Sequence, residues 1–524
     1  MIRSRIAVAA VSVLALSAMA ACGSNGSSSS TPKANKNATI ILGTTDSFAA
    51  LDPAYDYDLG GQTIIYNVYQ TLLKIPVGGT SPVPDAASSC GFTGTVTFTC
   101  TLKPGLKFSN GNVLDAAAVV YSFKRMIAIK DANGPSTLLG AMKNVAAQGT
   151  DKVVFTLNQH DNTWQYILTT LAATIVDPKV FPAKARLADS KAVGSGVYKI
   201  TSYQPKQQLV LDKNPNYTGD VVPANSRFIV KYEQAASTLK LDIEQGNVDI
   251  AFRSLSPTDI TALRGETSRG VKVVEGSGAE IRYMVFQTGK GPGAKKAIRR
   301  AIAYLLDRAS IAKNVFDDQV VPLYSMVANG LTGHVDAYKT EYGAAPDKAK
   351  ATAELQAAGI TTPLKIKMWY TPSHYGPVSA DEWTEIKRQL DGSGLFQITL
   401  GSQEWEQYQK SYAAGAMDVF QLGWFPDYTD ADDYLAPFYP NGGFFNNHYN
   451  NPLVNAQITK EKAEVDPAAR KQQIETAQTL AAKDAPTVPI WQSKQFAAER
   501  SNVNGFESTL DPAYTFRFWV VSKS

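Results

Sequence analysis

The stretch Phe98–Met126 reads FTCTLKPGLKFSNGNVLDAAAVVYSFKRM. With the residues before it, TVTFT, it opens on the alternation of a strand. Pro104 and Gly105 turn the chain, and LKF predicts a second strand. Asp115 to Met126 predicts a helix, with Val119, Tyr121 or Ser122, Phe123 and Met126 along one side. Just upstream, Cys90 and Cys100 stand in CGFTGTVTFTC, where Gly91 and Gly94 offer turns. If the chain is exported to an oxidising place, this pair is expected to form a disulfide across a hairpin. The spacing is not Cys-x-x-Cys, so a redox role is not indicated.

Export is indicated at the N-terminus. Arg3 and Arg5 precede the apolar run Ile6–Leu16, and small residues lead to Cys22. Residues 1–21 therefore read as a signal peptide. The run also resembles a bacterial lipoprotein signal, in which Cys22 becomes the lipidated first residue; the alternative is simple cleavage and free secretion. Residues 22–37 are the lipidated Cys and a flexible tether, because GSNGSSSSTPKANKN has almost nothing apolar to bury. Such a tether reaches about 20 Å. Past the signal, 49 basic residues face 47 acidic ones, a balance that does not suggest nucleic acid. No later apolar run has membrane length. The length allows about three domains.

Further along, strands alternate with helices. Strands are expected at Ala38–Asp46, KVVFTL (Lys152–Leu157), IRYMVFQT, LKIKMWYT, FQITLGSQEW and MDVFQLGW, and a hairpin at VYKITSYQPKQQLVLDKN. Helices are expected at Gln62–Leu73, TWQYILTTLA, Ala235–Gln245, Lys295–Leu306 and Asp381–Leu390. The pattern implies an α/β fold. Lys295, Lys296, Arg299 and Arg300 are expected to form a solvated face.

Enzyme chemistry lacks its usual marks. There is no Gly-x-Ser-x-Gly elbow. His160, His334, His374 and His448 are too scattered for a metal cluster. GKGPGAKK is not a phosphate-binding Walker loop. DYTDADD lacks the central Gly and final Glu of a calcium loop. Together these favour a binding protein over an enzyme, with no cofactor and no metal; a glycosidase-type carboxylate pair stays open.

The chain resembles the family 5 extracellular solute-binding proteins, the peptide- and nickel-binding components of ABC importers, from about Ala38 to Val521. The resemblance rests on the opening stretch together with GSGVYKI, LDKNPNY, QGNVDIA, KKAIRRAIAYLLDR, EWEQY and GWFPDYTDADDYLAPFYPNGGFFNNHYNNP. It implies a two-lobed clamshell of the type II periplasmic-binding-protein kind with an extra inserted domain. Lobe 1 would comprise residues 38–75, 194–284 and 488–524. The inserted domain would be 76–193 and lobe 2 would be 285–487, with chain crossings near Tyr283 and Trp491 as the hinge. The signature helix departs from the family at Ala118, where an acid is usual. Tyr412 and Gln421 stand where some oligopeptide binders place arginines, so a fixed carboxylate clamp is not carried over to them.

The segment Gly423–Asp433, GWFPDYTDADD, sets four acids beside large rings. By resemblance, Asp427 takes a peptide's α-ammonium; the alternative is a turn cap. Asp430, Asp432 and Asp433 read as a solvated helix start. Trp405 and Trp424 are the aromatic candidates for the cleft, with core packing as the alternative. Tyr428 and Asn446 are expected to face it as well. Thr45, Asp46 and Ser47 end the first strand and would meet an extended ligand's backbone, or else form an ordinary turn. The expected function is capture of a solute, foremost an oligopeptide, for a separate permease and ATPase, by a monomer tethered to the membrane. A secreted peptide or glycan hydrolase and a signalling receptor are the competing readings.

Overall fold

The computed structural model describes residues 35–524, apart from 133, 254, 373, 376, 377, 441 and 442 and the side chain of 406. The expected signal peptide, the lipidated Cys22 and the tether up to residue 34 lie outside the described residues.

One large sheet organises the molecule. Its order is Phe396–Ser402, Leu364–Tyr370, Val419–Trp424, Val271–Phe286, Thr487–Arg500, Ile250–Ala251, Thr39–Thr44, Arg227–Tyr232, Gln208–Lys213, Tyr198–Gln204, with Val320–Pro322 also paired to Thr487–Arg500. Thr39–Thr44 runs parallel to Arg227–Tyr232 and Ile250–Ala251. Leu364–Tyr370 runs parallel to Phe396–Ser402 and Val419–Trp424. The two central strands are antiparallel and serve both halves of the sheet.

Side-chain alternation explains the apolar run in IRYMVFQT. Tyr283 and Val285 enter one hydrophobic core, and Met284 and Phe286 enter a second one on the other face. The strand is also much longer than the run, Val271–Phe286, because pairing with Thr487–Arg500 extends it through polar residues. Within this pair the register shifts, from Arg282 opposite Trp491 to Tyr283 opposite Pro489. This β-bulge lies at the expected chain crossing, and such irregularities bend a strand locally.

The opening stretch folds as its residues indicate except at LKF, which makes only an isolated bridge from Lys107 to Val113 in place of the expected second strand. Ala87–Gly94, Thr97–Leu102, Lys152–Leu157 and Met142–Gln148 form a separate antiparallel sheet, in that order. Cys90 sits directly opposite Cys100, and the two are joined as a disulfide. The helix Ala116–Ile129 is capped by Asp115, whose side chain accepts from the Ala118 N–H at 2.9 Å. Its Phe123 packs on Phe155, which in turn packs on Trp164, with ring centroids 4.9 and 5.3 Å apart. Arg125, on the same helix, is buried and donates two bonds to Asp52, at 2.8 and 2.6 Å. Asp52 also accepts the Leu187 N–H at 2.9 Å, so one carboxylate ties three distant segments together.

Three further expectations need correction. The first helix spans Leu59–Val68, not Gln62–Leu73, because Asp58 caps it by accepting the Gly61 N–H at 2.7 Å. TWQYILTTLA is helical only at Trp164–Ile167 and in a short 3-10 turn, Leu171–Ala173. There the Thr169 and Thr170 hydroxyls bond back to the Tyr166 and Ile167 carbonyls, a competition that shortens helices. The basic residues of Lys296–Leu305 are not one solvated face. Arg299 is buried and caps the end of Pro467–Asp484 by donating to the Asp484 carbonyl at 2.9 Å. Arg300 pairs with Glu341 at 2.7 Å and Glu354 at 2.8 Å.

Breaking the Arg125–Asp52 pair leaves a buried charge without its partner. Asp52→Ala is expected to destabilise the fold by about 3–5 kcal/mol. Thermal and urea unfolding measure this, and a midpoint equal to wild type would contradict it.

Candidate functional site

GWFPDYTDADD begins at the end of the strand Val419–Trp424. Gly423 is required there by close approach, since a Cβ would fall 1.8 Å from the Arg282 guanidinium. Beyond Trp424 the loop folds back on Asp433. The Trp424 indole N–H and the Asp427 backbone N–H both donate to Asp433 Oδ2, at 3.0 and 2.9 Å. This spends the Asp433 carboxylate on the loop and leaves that of Asp427 free of the loop's own donors.

The other acids are not a solvated helix start. Asp430, Asp432 and Asp433 are only 6%, 1% and 1% exposed. Asp430, not Asp427, caps the turn Ala431–Tyr434. Its carboxylate meets Arg470 at 2.7 and 2.8 Å. Asp432 accepts from the Tyr428 hydroxyl at 3.0 Å and lies 3.4 Å from Lys462. Two helices that follow, Pro452–Ala463 and Pro467–Asp484, bring those cations, and that is why the acids can be buried. Asp433 has no Lys or Arg ion pair among the described residues; burial and then the Asp427 charge push its carboxyl well up.

Asp427 is half-buried. No Lys or Arg among the described residues forms an ion pair with it. Its Oδ1 accepts from the Tyr57 hydroxyl at 2.5 Å. Burial pushes its carboxyl up to about 6, while the Tyr57 bond holds it down. A carboxylate in this position is an uncompensated charge that a cation would stabilise.

Next to this loop lies a cavity of about 410 Å³, lined by Asp46, Arg253, Arg282, His374, Tyr375 and Phe425 among others. Trp405, the first residue of the helix Trp405–Ala413, stacks on His374 with centroids 3.7 Å apart and planes 2° apart. It therefore backs the cavity wall without lining it. Burial, then Arg282 and Arg253, lower the His374 pKa to about 4, so the ring is neutral at ordinary pH. The Arg282 guanidinium lies 3.8 Å from the Tyr375 centroid and 4.7 Å from that of Trp491.

Asp46 pairs with Arg253 at 3.2 Å and stands at the border of a second cavity, about 470 Å³, which Thr45, Ser47, Phe48 and Tyr232 also line. The Asp46 N–H is spent on the Thr44 hydroxyl at 3.1 Å. Asp427, Trp424, Tyr428 and Asn446 line neither cavity. Trp424 packs on Phe438, 4.9 Å between centroids. Tyr428 packs on Tyr166 of the smaller-sheet region, 6.2 Å apart. Asn446 donates its amide to the Ala413 carbonyl and closes the end of the helix Trp405–Ala413.

Tyr412 stacks on Phe420, 5.5 Å apart, and Gln421 donates to the buried Glu382 at 2.9 Å; both side chains are buried and line neither cavity. The cleft's arginines stand elsewhere, at 253 and 282. Sequence reasoning missed them, along with His374, Tyr375 and Tyr57. One signal was available: Arg282 is a lone charge inside the apolar run IRYMVFQT.

Comparison with known proteins agrees with this architecture. A family model described as bacterial extracellular solute-binding proteins, family 5 Middle, matches residues 81–446. The "Probable D,D-dipeptide-binding periplasmic protein DdpA" of Escherichia coli (strain K12) is 26% identical over 484 residues, covering 89% of this chain and 91% of that protein. Among solved structures, the ABC transporter substrate binding protein CtaP of Listeria monocytogenes superposes with a TM-score of 0.82 at 20% identity, covering 93% of this chain and 100% of that one. The Helicobacter pylori periplasmic binding protein DppA, in complex with peptide STSA, gives 0.77 at 20% identity, covering 93% and 98%. The fold is the type II periplasmic-binding-protein clamshell. The chain belongs to the bacterial extracellular solute-binding proteins, family 5: it is an extracytoplasmic solute-binding component of an ABC importer, not an enzyme.

Proposed function

We propose that this subunit captures an oligopeptide, seats its α-ammonium on Asp427, and closes two lobes over it for delivery to a separate permease and ATPase. The observation that carries this reading is the half-buried Asp427 carboxylate, with which no Lys or Arg among the described residues forms an ion pair, two residues along the loop from Phe425 of the cavity wall. A cation taken from water needs such a counter-charge. Rings supply area, and a few fixed charges supply orientation. The relatives named for dipeptides or solved with a peptide support the choice of ligand class.

In this reading lobe 1 comprises residues 38–75, 194–284 and 488–524, the inserted domain 76–193, and lobe 2 residues 285–487. Closure bends the two crossing strands at the bulge beside Tyr283 and Trp491. Trp405 holds the His374 wall in place. Thr45, Asp46 and Ser47 border the ligand's path. Cys22 carries the lipid anchor, and the protein works as a monomer at the outer face of the membrane.

Asp427→Ala is expected to weaken free-amine peptides by about 2–5 kcal/mol, roughly 30-fold to several thousand-fold, in titration calorimetry. N-acetylated peptides serve as the control. Equal affinity of mutant and wild type for the free amines would remove Asp427 from the site.

Affinity should also depend on acidity in a definite direction. The Asp427 carboxyl is raised to about 6, and only its ionised form attracts an ammonium. Binding is therefore full above that range and is lost as pH falls through about 6. A titration series that stays flat across this window contradicts the assignment.

A further inference from the structure

One group donates to the Asp427 carboxylate from a distant segment, and it is neutral. Tyr57 lies between the strand Thr39–Thr44 and the helix Leu59–Val68, at the far side of the main sheet's central strands from the loop that holds Asp427. Its hydroxyl donates to Asp427 Oδ1 at 2.5 Å. Burial and the Asp427 charge hold the Tyr57 pKa well above its ordinary value, so the hydroxyl keeps its proton. A neutral donor satisfies one lone pair and leaves the negative charge in place. The residue remains 43% exposed, so the bond is within reach of an incoming ligand.

The segment that presents Tyr57 is held on both sides. Asp56 accepts from the Ala50 N–H at 3.2 Å, and Asp58 accepts from the Ala49 and Gly61 N–H groups at 2.9 and 2.7 Å. Gly60 and Gly61 permit this tight path, since Cβ atoms there would lie 2.0 Å from the Ser47 carbonyl oxygen and 2.1 Å from the Asp56 carboxylate. A hydroxyl on so constrained a segment is preorganised. A hydroxyl that has donated its proton still has lone pairs to accept with. An ammonium seated on the second Asp427 oxygen can therefore give another N–H to the Tyr57 oxygen.

We propose that Tyr57 is the second half of the amine seat: it positions Asp427 and accepts from the ligand, so that the site demands a cation with at least two N–H donors. This rests on the reading of Asp427 as the amine site. It selects primary ammonium groups over N,N-dimethylated ones, which carry one N–H, and over amides, which carry no charge. The other titratable groups that feel the Asp427 charge are Tyr66, on the helix Leu59–Val68, and Asp433 and Tyr434, on the turn that follows it; none of them is a cation.

The test uses the mature chain, Tyr57→Phe and Asp427→Ala, with a tripeptide pool in three forms: free amine, N,N-dimethylated and N-acetylated. Native mass spectrometry detects binding, and calorimetry follows on the strongest free-amine ligand. Wild type should favour the free amine over both blocked forms. Tyr57→Phe should lose about 10-fold or more for the free amine and little for the dimethylated form. It should also move the pH midpoint of binding upward, because the Tyr57 bond holds the Asp427 carboxyl down. A purely structural tyrosine would lower affinity for all three forms alike and leave the midpoint unmoved. Unchanged or tighter free-amine binding in Tyr57→Phe overturns the proposal while leaving Asp427 in place. Binding that Asp427→Ala also leaves unchanged, or no free-amine binding by wild type, overturns both.

Discussion

Two antiparallel strands, Val271–Phe286 and Thr487–Arg500, bear the rest of the structure. Every strand of the main sheet lies to one side of this pair or the other. Because side chains alternate, the two hydrophobic cores draw on alternate residues of one short run, Tyr283 with Val285 for one and Met284 with Phe286 for the other. A bulge in this pair sits between the halves of the sheet. Backbone hydrogen bonding keeps the two halves continuous, and the bulge is a local break in the register of that pairing. Arg282, which lines the cavity of about 410 Å³, stands on one of these strands.

A second constraint is the cost of buried charge. The molecule meets it by long-range pairing. Arg125 joins Asp52, Arg470 joins Asp430, Lys462 approaches Asp432, and Arg299 caps a helix end. Against that pattern Asp427 stands out. It is held by one neutral hydroxyl, and no Lys or Arg among the described residues pairs with it. Asp433 beside it also lacks a cation, but its carboxylate is taken up by the Trp424 and Asp427 N–H groups, whereas Asp427 has only the Tyr57 hydroxyl.

Local structure was largely legible in the residues. KVVFTL forms a strand over Lys152–Leu157, as expected. The helix of Ala236–Gln245 ends at Gly246 in the left-handed region, where a glycine is favoured. The hairpin with Cys90 and Cys100 forms with the two residues directly opposite. These features depend on period, caps and turns, which act within a few residues. Local reading failed where partners are distant. Strand 271–286 exceeds its apolar run because a chain segment more than 200 residues away pairs with it. The acids of TDADD looked solvated because the cations that bury them come from later helices. Gly423 looked like part of a motif, yet it is required by a guanidinium on another strand.

The sequence by itself determined the α/β class, the family and the disulfide pair, since these rest on short motifs and on local periodicity; the family resemblance added Asp427 as a candidate amine site. Only the tertiary structure decided which side chains share the cleft. It set Tyr57 against Asp427, stacked Trp405 behind His374, and placed Arg253 and Arg282 in the cavity wall while spending Tyr412 and Gln421 in the interior. The physical reason is range. Helix and strand preferences are settled over a few residues, whereas the fate of a charge is settled by whatever the fold brings within about 4 Å of it.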